Sequence, residues 1–212
     1  MRALAPPHQA LALSMAVLAG YVDSLGFLHL GGVFVSFMSG NSTRLAASLA
    51  EGQWTAALGL AGILILFVMG SFCGALIARG QEGRSRSRVL AFEGVLLTLA
   101  AAAAWMGHKP VAIGLMVMAM AAENSVFLRN GEVAVSLTYM TGTLVKLGQS
   151  LAAAATGGDR RAFGPYVILW LGLTGGAVVG ALTFGRLGLA ALWPAAAFAF
   201  VLAAATRFSR AA

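Results

Sequence analysis

A few residues of this 212-residue chain place polar or charged chemistry inside an apolar setting. Ser39, Gly40 and Asn41 stand close to Arg44, Thr141, Gly142 and Thr143 stand close to Lys146, and Asp23 and Glu123 are acids within apolar runs. A helix that starts at membrane depth offers free backbone N–H groups and the positive end of its dipole, a setting for an anion or a polar solute. Asn41 and Thr143 could donate to such a solute or satisfy the backbone. Arg44 and Lys146 could add positive charge to the same cavity, snorkel to an interface, or neutralise the acids. An acid at mid-membrane costs about 2.5–3.5 kcal/mol on insertion scales, so Asp23 and Glu123 need a task or a partner. The task would be proton or cation coupling by a titrating carboxyl. The partner reading pairs Asp23 with Arg44 and Glu123 with Lys146.

The two polar stretches are copies of one another. Met38-Ser39-Gly40-Asn41-Ser42-Thr43-Arg44-Leu45-Ala46-Ala47-Ser48-Leu49-Ala50 returns as Met140-Thr141-Gly142-Thr143-Leu144-Val145-Lys146-Leu147-Gly148-Gln149-Ser150-Leu151-Ala152. The Ser39/Thr141 and Arg44/Lys146 differences are conservative. Val33-Phe34-Val35-Ser36-Phe37 precedes the first copy and Val133 to Tyr139 the second. Both favour extended chain. Ser39 and Thr141 then read as N-caps, Gly40 and Gly142 as points of close approach, and the residues that follow as half-helices.

The elements that carry these motifs are membrane helices. Of all residues 59% are hydrophobic and 10% charged, against about a quarter charged in soluble domains. Several apolar runs reach the roughly 20 residues a spanning helix needs. Fourteen Lys and Arg against seven Asp and Glu give a net charge of +7. The basic residues lie mostly in short loops and none alternates with aromatics, so topology and anionic lipid explain them and nucleic-acid binding is excluded. The single cysteine, Cys73, excludes a disulfide framework. There is no metal-ligand spacing, no G-x-S-x-G and no phosphate loop, so neither cofactor nor enzyme activity is expected.

Eight apolar segments cover about 10–30, 32–50, 56–79, 89–106, 110–128, 133–155, 165–187 and 189–206, and the first four correspond to the last four. Gly70-x-x-x-Gly74 in segment three matches Gly176-x-x-x-Gly180 in segment seven. This spacing lets helices approach closely, within the chain or between copies in a homo-oligomer. If all eight segments cross, the loop basic residues divide evenly between the two sides. If segments two and six enter and leave on one side, Lys109 and Arg186 face Arg2, Arg79, Arg84, Arg86, Arg88, Arg129, Arg160, Arg161, Arg207 and Arg210. That bias places both termini in the cytoplasm. Three spans per copy also turn the second copy upside down. Glu93 lies near the start of its span and has no counterpart in segment eight, so it reads equally as an interface residue or as one with a role.

Gly20-Tyr21-Val22-Asp23-Ser24, Met38-Ser39-Gly40-Asn41 and Thr141-Gly142-Thr143 resemble the YoaK-like family of bacterial multi-pass membrane proteins of unknown function. The resemblance covers nearly the whole chain and implies about six spans and a bacterial inner membrane. It implies no substrate, catalytic residue or cofactor. A strand feeding a half-helix in inverted repeats is also similar to sulfate/uracil-type transporters, at the level of fold alone.

The expected fold is an all-α integral membrane protein of one domain, with inverted repeats over about residues 9–107 and 108–208. Each repeat has three spans and a re-entrant or broken half-helix; eight spans in two parallel repeats is the alternative. The expected function is a small transporter or channel whose polar, possibly anionic, solute binds at the midplane between the two half-helix ends. The alternative is a membrane scaffold whose polar motifs are structural.

Overall fold

The computed structural model describes residues 6–79, 82–129, 132–133, 140–159 and 162–208. They form an all-helical membrane protein with one two-residue ladder. In chain order the helices are α1 (Pro6–His29), α2 (Met38–Ala50), α3 (Trp54–Ala78), α4 (Glu82–Trp105), α5 (Lys109–Glu123), α6 (Met140–Ala155), α7 (Gly164–Leu187) and α8 (Leu192–Phe208). Leu128–Arg129 pairs antiparallel with Glu132–Val133 between α5 and α6, and a 3-10 turn, Gly188–Ala191, joins α7 to α8. Helices suit the bilayer because each satisfies its own backbone where no water can.

Four stretches are long and apolar enough to cross a membrane: His8–His29, Trp54–Ala78, Arg84–Trp105 and Gly164–Arg207, the last holding both α7 and α8. α2 has 13 residues, α5 has 15 and α6 has 16. At 1.5 Å per residue they reach about 20, about 22 and about 24 Å, each short of a hydrocarbon core of about 30 Å. α2 and α6 stop in the same way. After α2 the Gln53 amide returns to the Ser48 carbonyl (2.8 Å), and after α6 the Gly158 amide returns to Ala153 (2.8 Å). The turn residues Gly52 (φ 70°) and Gly157 (φ 92°) are left-handed, which glycine adopts without a Cβ penalty.

Small residues set the main helix contacts. α1 and α7 run in parallel, with Gly172 against Leu13, Gly176 against Val17 and Gly180 against Tyr21. α3 and α5 do the same, with Leu66 against Gly114, Gly70 against Met118 and Gly74 against Ala122. A Cβ on Gly176 would overlap the Val17 carbonyl, and one on Gly70 would overlap that of Met118. The expected small-xxx-small pairs are therefore used within the chain. α4 and α8 run antiparallel: Ser87 Oγ donates to the Ala203 carbonyl at 2.8 Å, and Gly94 lies under the Phe200 ring.

The core gathers Leu18, Val22 and Leu25 of α1 with Leu97 of α4, Met116 and Met120 of α5, and Leu192 and Ala199 of α8. α2 packs mainly on α3 and α6 on α7. Large apolar side chains remain outside, among them Leu58, Ile65, Val68 and Phe72 of α3 and Leu171, Val179 and Leu182 of α7. Acyl chains of the bilayer cover such surface.

Candidate functional site

α2 starts two residues earlier than the N-cap reading of Ser39 requires. Its cap position is Phe37, which makes no side-chain cap bond, and Ser39 is exposed inside the first turn. Asn41 carries the local order instead. It is fully buried, its Nδ2 donates to the Phe34 carbonyl at 2.7 Å, and its Oδ1 accepts the Phe34 amide at 3.1 Å. Phe34 stacks against Phe27 and Phe37 at centroid distances of 4.8 and 5.2 Å. The Phe37 ring occupies the space that a Cβ on Gly40 would need, which explains the glycine.

Asp23 holds the same segment from α1. Its Oδ1 accepts the amides of Val35 and Ser36, each at 2.9 Å, and the Val35 side chain is buried beside Gly26. Residues 33–37 are thus pinned between α1 and α2 by two side chains that satisfy four backbone groups. No strand forms, because these groups are bonded to side chains rather than to a second strand.

Arg44 is exposed and its Nη1 donates to the Gly32 carbonyl at 3.0 Å. Asp23 and Arg44 therefore do not form the expected ion pair; each is bonded to a different backbone segment. The hydroxyls of Ser42 and Thr43 also bond backward, to Met38 and Ser39 carbonyls.

The second copy repeats the pattern of burial. Thr143 is buried where Asn41 is, Thr141 and Lys146 are exposed where Ser39 and Arg44 are, and Gly142, like Gly40, is half-buried. Residues 134–139 of the run leading into α6 lie outside the described residues. α2 and α6 share no substantial contact; α2 packs mainly on α3 and α6 on α7.

The acids pair differently from the counting of residues along each segment. Ser24 stands against Gly180 and Ser125 against Gly74, which makes Asn124, not Glu123, the counterpart of Asp23. Glu123, the last residue of α5, is fully buried. It does not pair with the exposed Lys146; the ionisable group that acts on it is Glu93 of α4. Glu93 is fully buried too, which removes the interfacial one of its two readings. The tight α4–α5 hairpin carries it into the core.

Two cavities adjoin α1 and α8. One, of about 400 Å³, is lined by His29, Trp105, Lys109, Phe184, Trp193 and residues of the 3-10 turn. The other, of about 190 Å³ and almost wholly apolar, lies between Val17, Leu18 and Tyr21 of α1 and Pro194, Ala195 and Phe198 of α8. The Tyr21 hydroxyl donates across this region to the Ala191 carbonyl at 2.9 Å. In the sequence Tyr21 stands out only as part of the Gly20–Ser24 motif, with no role of its own. Among the described residues no three His, Cys, Asp or Glu side chains gather as a metal site.

A family described as a protein of unknown function, DUF1275, matches residues 11–205. The chain belongs to this family. Among curated relatives, a UPF0700 transmembrane protein of Rhizobium meliloti is 35% identical over 196 residues, 92% of this chain and 84% of the relative. The UPF0700 transmembrane protein YoaK of Bacillus subtilis is 28% identical over 144 residues, 63% of this chain and 62% of its own length. No solved structure matches. The comparisons and the apolar helices together make this a multi-pass membrane protein in contact with the lipid bilayer.

Proposed function

We propose that this chain is a small carrier of the bacterial cell membrane, built from two inverted three-span units, with a small polar solute entering along the α1–α8 joint. Helix directions support the topology. If α2 and α6 both crossed, α4 would be the fourth crossing and α8 the eighth, and they would run the same way; they run oppositely. If only one of them crossed, α1 and α7 would be antiparallel; they are parallel. Six crossings satisfy both conditions, with the two half-helices entering from opposite faces and both termini in the cytoplasm by the charge count.

One observation carries the transport reading. In an inverted pair of units, α1 with α8 is the counterpart of α5 with α4. α4 and α5 are packed closely, whereas α1 and α8 touch little and are separated by the apolar crevice. Unequal packing of equivalent joints is the form that one-sided access takes in inverted-repeat carriers. The larger cavity continues this line at the end of the bundle away from the cytoplasm. Its His29 and Lys109, set among three aromatic rings, favour an anionic solute. Ser39, Thr141, Arg44 and Lys146 then shape the approaches, while Asn41 and Asp23 hold the re-entrant segment.

Purified protein in sealed vesicles tests this with a panel of small organic and inorganic anions. A Val17→Cys, Phe198→Cys pair in a Cys73→Ala background is cross-linked and released by reductant. The carrier reading expects uptake of at least one solute above protein-free vesicles, blocked by the cross-link and restored by reduction. Absence of uptake, or uptake indifferent to the cross-link, favours the scaffold reading, in which the polar motifs only hold the bundle together.

A further inference from the structure

We propose that Glu93 and Glu123 form a buried proton-binding pair inside the α4–α5 hairpin, whether or not a solute is carried. The geometry sets them level. Glu93 lies twelve residues before the end of α4 and Glu123 fourteen after the start of α5. Both are therefore about 18–21 Å from the turn that joins the two helices. Both side chains are fully buried, and none of their four oxygens has a hydrogen-bond partner. Around them stand Leu90, Leu97, Ala119 and Met120, all buried and aliphatic or thioether.

No charge on the packed elements compensates them. α8 brings no ionisable residue before Arg207 at its end, and the 3-10 turn brings none. α3 offers the half-buried thiol of Cys73. On α1, Tyr21 is bonded to Ala191 and Asp23 to the amides of Val35 and Ser36. The nearby arginines of α4 are engaged elsewhere: Arg88 on the Arg79 and Arg84 carbonyls, Arg86 with His8 and over the Phe127 ring.

Two neighbouring carboxylates without donors cannot both stay ionised in such a place. Glu123 also ends α5, where the helix dipole is negative and opposes a second negative charge. A metal ion is a poor occupant: hard cations take six or more oxygens, and no third His, Cys, Asp or Glu joins the pair among the described residues. The proton is the ligand that fits.

Infrared spectroscopy of the protein in lipid vesicles, titrated with pH, tests this. The wild type is expected to show a protonated-carboxyl C=O band at neutral pH that fades as pH rises, and E93Q/E123Q is expected to lack it. E93Q alone is expected to keep a Glu123 band that fades at lower pH, by about a unit for strongly interacting sites, because its charged neighbour is gone. If the double variant fails to fold, the single variants carry the comparison. Wild type and variants with the same carboxyl band at every pH would overturn the proposal, as would a band in E93Q that fades at the wild-type pH.

Discussion

Asn41 and Phe34 hold each other by two hydrogen bonds, the Asn41 amide giving to the Phe34 carbonyl at 2.7 Å and taking the Phe34 amide at 3.1 Å. One side chain thus serves as a strand partner for an isolated segment at the mouth of α2. The polar centre of the motif is directed at its own backbone, and this decides which substitutions are costly.

Asn41→Ala removes both bonds and leaves a buried amide and carbonyl without partners. The expected loss is about 2–4 kcal/mol, from two unsatisfied groups at about 1–3 each with partial rehydration. Ser39→Ala, at an exposed position with no capping bond, is expected to stay within about 0.5 kcal/mol. Denaturation of the purified protein in detergent compares the two; equal losses would return Ser39 to the role of cap.

Asp23 admits a finer test. Its Oδ1 accepts two amides, and an asparagine carbonyl in the same place accepts both. Asp23→Asn is therefore expected to retain most of the stability, with a loss of about 1 kcal/mol or less. Asp23→Ala is expected to lose about 2–4 kcal/mol. If Asn were as damaging as Ala, the negative charge itself would be required, and an ionic partner would have to be sought.

Adjacent glycines on α7 give an internal control. A Cβ on Gly176 would overlap the backbone of α1 at Val17, whereas one on Gly175 meets nothing within 4 Å. Gly176→Ala is expected to force α1 and α7 apart at about 1–3 kcal/mol. Gly175→Ala is expected to be neutral or to gain up to about 1 kcal/mol from helix propensity. Melting of the two variants side by side checks this.

Hydropathy made the helices legible. Segments expected at 56–79 and 165–187 are α3 at Trp54–Ala78 and α7 at Gly164–Leu187, because a spanning helix must be apolar along its length. The glycine pairs announced close packing, and the structure assigns it within the chain. The site was less readable, because its contacts join residues from different elements. Counting along the segments matched Asp23 with Glu123, whereas packing on Gly180 and Gly74 matches Ser24 with Ser125. Glu93 gave a signal, a lone acid in an apolar run, but depth within the bundle depends on the α4–α5 hairpin. Ser39 resembled a cap by residue type; the aromatic cluster of Phe27, Phe34 and Phe37 sets where α2 begins.

The inverted build requires α2 and α6 to enter the membrane from opposite faces. Single cysteines at exposed turn positions after each helix, Gln53→Cys and Thr156→Cys in a Cys73→Ala background, report this directly through an impermeant maleimide. Gln53→Cys is predicted to react on intact cells, and Thr156→Cys only once the cytoplasmic face is opened. Both cysteines reacting from one and the same face would contradict the inverted build.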